Sequence, residues 1–251
     1  MGFLPDFNVP GPRQDQPRKR GIFRFFETLT RDFKDIFRAG FLALAGCVPF
    51  ALGVGYSVVT RTMLLAPVLG LLGGMIAGPE LCGLADTILR GFRDEPGFWW
   101  HTYKKTWRRN VKACLFPGGV GGTLLGMQLY LLAHARTLGL DLLTGAGLAA
   151  GILLVLGISL YLWPLLALME LSFLQLVKNS ALLFLGQFPR SMAALAILAV
   201  YLWGMVQFII LTAPILPLTN LWLPVLPALF LIYPGMNEAF QIEDKIKHMN
   251  P

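Results

Sequence analysis

From residue 191 to residue 237 the chain runs for 47 residues without a single Asp, Glu, Lys or Arg. A helix that faces water on one side carries charges every few residues, so such a block needs an apolar surrounding. Further charge-free blocks lie at 39–60, 113–135 and 142–169, while 62–89 carries only two acids, Glu80 and Asp86. Each is long enough to cross a hydrocarbon core of roughly 30 Å as a helix rising about 1.5 Å per residue. The longest block exceeds one crossing, and Pro214, Pro217, Thr219 and Asn220 divide it in two.

Composition agrees with this reading. The 251 residues are 55% hydrophobic and 14% charged, with a mean hydropathy of +0.62, far from the balance of a water-soluble domain. The expected fold class is all-α, a polytopic membrane bundle of six transmembrane helices arranged as three hairpins with cytoplasmic amphipathic elbows. A net charge of +7 would suggest nucleic acid for a soluble chain, but membrane proteins keep Lys and Arg on one side for topological reasons, which removes nucleic acid as a partner.

Charge placement also orients the chain. With the amino terminus inside, 19 Lys and Arg fall on inner segments, and only Arg61 and Arg136 fall outside. Both termini are therefore expected in the cytoplasm. The division reads as a disordered Pro-rich tail at 1–17, an amphipathic interfacial helix at 18–38, the six-span domain at 39–237 and a cytoplasmic tail at 238–251. In the second of these, Ile22, Phe23, Phe26, Leu29, Phe33, Ile36 and Phe37 recur at three- and four-residue steps. That face either lies along the membrane surface or packs on the protein's own elbow.

The acids within the apolar blocks are the first candidates for chemistry. Glu80, Glu170 and Glu238 each close an inward-going span in a loose threefold plan, with Pro79, Pro164 and Pro234 at or before them, and Asp86 follows one turn and a half after Glu80. An acid at such depth is costly unless paired. Either these residues pair with Arg38, Arg90, Arg109 or Arg190 and lock the elbows, or Glu80 and Glu170 line a polar cavity of a small transporter or channel.

The second candidate is the elbow at 98–112. Phe98, Trp99, Trp100, Tyr103 and Trp107 alternate there with Lys104, Lys105, Arg108 and Arg109. This mixture suits anchoring at headgroup level with attraction to anionic lipids, and it suits docking of a protein partner equally. Downstream, the glycine-rich run 116–122 reads as a packing surface or as a broken helix start. Gly70, Gly73, Gly74 and Gly78 read as close helix contacts.

Conventional catalytic signatures are absent from the sequence: no HExxH, no GxxxxGK[ST] and no Ser, His and Asp arrangement. Cys47, Cys82 and Cys114 show no CxxC spacing, and the three histidines are scattered, so neither a metal nor a disulfide framework is expected. No cofactor and no enzymatic activity are expected.

The succession AGPELCGLADTILRG, RDEP, FWWHTYKKTWRRNVK and later YLWPLLALMELSFLQLVKNSALLFLGQFPRS resembles the YesL-like family of bacterial integral membrane proteins, a domain-of-unknown-function group. Gly78 and Pro79, Arg90 and Gly91, Phe98 with Lys104, and Lys178 with Asn179 stand at the positions that carry the likeness. The resemblance covers about residues 33–190 and departs from the family in the Pro-rich tail and the Trp-rich elbow. It implies a bacterial plasma-membrane protein that accompanies carbohydrate uptake systems, with a transporter permease as partner, and supplies no catalytic residues.

Overall fold

The computed structural model describes residues 21–95, 97–208 and 214–243, and among these residues no strand occurs. The tail at 1–17 and the residues beyond 243 lie outside them. Among the described residues eight helices follow in order: α1 Ile22–Val59, α2 Leu65–Arg93, α3 Trp99–Ala133, α4 Leu142–Leu168, α5 Phe173–Gly186, α6 Phe188–Gln207, α7 Leu216–Thr219 and α8 Trp222–Phe240. Six segments of the described residues are long and apolar enough to cross a membrane: α1 to α4, most of α6, and α7 with α8 taken together. This is the polytopic helical bundle expected from the charge-free blocks.

Several boundaries differ from those expectations. The amphipathic stretch at 22–38 is no separate interfacial helix, since it continues unbroken into the first apolar block as α1. At roughly 1.5 Å per residue, the 38 residues of α1 extend for about 57 Å. No Pro or Gly pair interrupts the junction near Arg38, so backbone hydrogen bonding simply propagates through it. Likewise α3 carries the elbow and the third block in one helix, and Pro117 with the glycines around it lies inside that helix. The broken helix start is therefore overturned.

The glycines instead form a seam. Ala66, Gly70, Gly74, Gly78, Cys82 and Asp86 step along α2 every fourth residue, facing Gly126, Gly122, Gly118, Cys114, Asn110 and Thr106 of α3. A methyl group added at Gly74 would strike the carbonyl oxygen of Gly118, and one at Gly122 that of Gly70. The missing side chains let the two backbones touch, which is how apolar helices gain dispersion contacts where no hydrophobic drive separates them from lipid. Gly73 faces the other way, against Phe50 of α1.

The helix ends are held by local chemistry. Asp94 closes α2 in the left-handed region at φ 58°. The Asp141 side chain accepts from the Thr144 amide at 3.1 Å at the start of α4, and Ser172 with Gln175 makes a capping box at the start of α5. α8 packs on the amino-terminal half of α1 and the last turn of α2: Trp222 meets Phe33, while Phe230 meets Phe25 and Phe92. The Phe-rich face of α1 is thus divided. Phe25, Leu29 and Ile36 pack inward, whereas Phe23 and Phe26 remain exposed.

Candidate functional site

The side chains with chemistry gather at one end of the bundle, where α1 and α3 begin and α2 ends. Glu80 lies in the middle of α2, thirteen residues before its last residue, so it does not close a span as its place before a polar stretch suggested. Its two carboxylate oxygens accept from α3: the Tyr103 hydroxyl donates at 2.5 Å and the Trp107 indole N–H at 2.8 Å. Gly46 of α1 gives room for its side chain. No arginine pairs with Glu80 among the described residues.

Six residues later, Asp86 is 3% exposed. One of its oxygens accepts from Arg90 at 2.7 Å and from the Thr106 hydroxyl at 2.9 Å. This realises one of the four arginine pairings open to the acids. Arg90 also donates to Glu95 at 3.0 Å, and Arg93 to Glu95 at 2.6 Å. Between the two acids, the Asn110 amide approaches the Cys82 sulfur at 3.7 Å.

α1 is tied to the same end by its arginines. Arg24 donates to Asp94 at 2.5 Å and to the Phe92 carbonyl at 2.8 Å. Arg31 donates to Asp94 as well, and to the Gly91 carbonyl at 2.7 Å. Burial pushes the Asp94 carboxyl upward, but the hydrogen bonds from Arg24 and Arg31 outweigh it and hold the group below the ordinary carboxylate range.

Other candidates lie elsewhere. Glu170 sits exposed in the turn between α4 and α5, and Glu238 is exposed near the end of α8. Neither makes a hydrogen bond or ion pair among the described residues, so the threefold plan of buried acids does not hold. A short turn and a helix terminus leave both carboxylates outside the packed interior, where water or headgroups solvate them. Glu170 and Glu80 share no hydrogen-bond partner among the described residues.

The elbow divides by helical phase. Tyr103, only 4% exposed, Thr106, Trp107 and Asn110 face inward, whereas His101, Lys104, Lys105, Arg108, Arg109 and Lys112 are exposed on the opposite face. Tyr103 and Trp107 are therefore removed from the set of interfacial anchors; their polar atoms are engaged by Glu80. Trp99 is half-buried with the Arg38 guanidinium 5.6 Å above its ring. Phe98 at 73% and Trp100 at 57% remain exposed at the tip. Arg109 is exposed yet donates to the Ala167 carbonyl at the end of α4, 2.9 Å away.

Chemically, this arrangement is closed. Both oxygens of Glu80 are occupied, Asp86 is shared between a cation and a hydroxyl, and no three His, Cys, Asp or Glu gather as a metal-holding group among the described residues. Comparison with family models, with curated proteins and with solved structures returns no match. The YesL-like resemblance accordingly stands on its residues alone.

Proposed function

We propose that this chain is a non-enzymatic integral membrane protein of the bacterial plasma membrane, with both termini cytoplasmic, that serves as an accessory or regulatory component of a transport system, of the carbohydrate-uptake class. The family resemblance supplies the class of system, and fold-level analogy alone would not carry a role. The supporting observation is the elbow itself. Its inner face is held to α2 by Glu80, Asp86 and Cys82, while its tip displays Phe98 and Trp100 to solvent. A rigid helix pair that presents exposed aromatics beside cations has the make-up of a docking surface.

Purification from the native membrane in mild detergent tests the reading. The expected result is a transport permease recovered at equal stoichiometry with the chain and lost on Phe98→Ala with Trp100→Ala. Solute flux through liposomes that contain this chain alone, with no permease recovered, would instead support a small transporter.

A further inference from the structure

We infer that the outer face of α3 at its basic end is a binding ledge for anionic phospholipid headgroups, formed by Lys104, Lys105, Arg108 and Lys112. The inference rests on the membrane placement of α3 and not on the transport reading.

Three observations carry it. First, these cations share one helical face at three- and four-residue steps, all are exposed, and none forms an ion pair among the described residues. The acids nearest in sequence, Asp94 and Glu95, are already engaged by Arg24, Arg31, Arg90 and Arg93. No acid among the described residues neutralises the ledge.

Second, the opposite face is locked. Tyr103, Thr106, Trp107 and Asn110 hold α3 to α2 through Glu80, Asp86 and Cys82. The ledge therefore keeps one orientation without any ligand, so binding costs no helix ordering.

Third, its depth is suitable. The line 104, 108, 112 continues at the same step to Phe116, which is exposed and followed by the rest of a charge-free block. The change from cation to exposed phenyl places the acyl boundary between Lys112 and Phe116. Arg108 and Lys104 then lie about 6 and 12 Å below Lys112 along the axis. The headgroup layer is about 5–8 Å thick on each side, and long basic side chains bend toward it with their stems along the helix. An acidic protein segment would meet the same charges, but only a lipid layer stands at this depth by necessity.

The test uses the full chain in nanodiscs of mixed phosphatidylglycerol and phosphatidylcholine, with retained lipids counted by mass spectrometry after mild detergent exchange. Phosphatidylglycerol is expected to be enriched about fivefold over its mole fraction, given the attraction of each cation to an anionic surface. Enrichment should fall with added salt and vanish in the variant carrying Lys104→Gln, Lys105→Gln, Arg108→Gln and Lys112→Gln. A charge-retaining set, Lys104→Arg, Lys105→Arg, Arg108→Lys and Lys112→Arg, should keep it, as should Lys178→Gln on α5. Melting in pure phosphatidylcholine nanodiscs should be the same for all variants, which separates lost binding from lost folding. Equal retention of the two lipids by the wild type, or enrichment that survives the four glutamines, overturns the inference. So does selective binding of poly-glutamate without headgroup selectivity, which would mark the ledge as a site for an acidic protein segment.

Discussion

The Tyr103 hydroxyl of α3 and the Glu80 carboxylate of α2 stand 2.5 Å apart, and Trp107 completes the acid's second oxygen. A glutamine at position 80 can accept from only one of the two donors, leaving its amide against the other. Glu80→Gln should therefore lower stability by about 1–3 kcal/mol, the usual cost of a buried donor left unmatched. Tyr103→Phe should lower it by a similar amount, and the double variant by less than the sum. Thermal melting in detergent measures all three. Glu170→Gln, at an exposed turn, should leave melting unchanged.

Adjacent glycines in one run should respond oppositely. Gly122 lies in the seam, where a methyl group would strike the Gly70 carbonyl, whereas the space beside Gly121 is open. Gly122→Ala should force the helices apart and destabilise by about 1–3 kcal/mol. Gly121→Ala should be neutral or stabilising by up to about 1 kcal/mol, because alanine loses less backbone freedom in a helix. Melting of the two variants side by side is the check.

Acid should loosen the attachment of α1. The Asp94 carboxyl is held low by Arg24 and Arg31, so its contribution is fully present above the unfolded carboxyl range near about pH 4. It is lost as pH falls through the lower folded value. The melting temperature of the wild type should drop along this acid limb, and Asp94→Asn should flatten the limb while lowering the plateau at neutral pH. A parallel limb in the variant would show that Asp94 does not drive it.

Asn220 links the second half of the bundle to the first. It is fully buried at φ 24°, its side-chain oxygen accepts from the Trp222 amide at 3.0 Å, and its side-chain amide reaches the Phe37 carbonyl at 3.4 Å. Asn220→Ala removes those bonds in a backbone conformation that alanine adopts poorly. A loss of about 2–3 kcal/mol is expected, with faster proteolysis of α8 as a second readout. Gly40, whose added methyl would meet the same side chain, should behave alike on Gly40→Ala.

Much of this was legible in the chain. Charge-free blocks mark the helices, and Arg90 stands among the four arginines open to the acids; its place four residues after Asp86, on the same helical face, is the local feature that singles it out. The Glu80 clamp was not legible in the same way, since its donors lie 23 and 27 residues away and depend on the register of two helices. A signal did exist: 99, 103, 106, 107, 110, 114, 118, 122 and 126 form one inward stripe, with the cations at 101, 104, 105, 108, 109 and 112 opposite. Read as helical phase instead of as a mixture, the aromatic and basic residues of the elbow separate into a buried face and an exposed one. The exposure of Glu170 does not follow from composition, which reports a block's hydrophobicity and not where a turn opens it to solvent.

Whether Glu80 is a structural acid or a transport acid decides between the two readings of the whole chain. The most direct measurement takes wild type and Glu80→Gln in one preparation, recording melting in detergent and proton or solute flux after reconstitution of the chain alone. The expected result is a lowered melting temperature in the variant and no flux above empty liposomes in either. Unchanged melting together with a wild-type flux that the variant alters would contradict it.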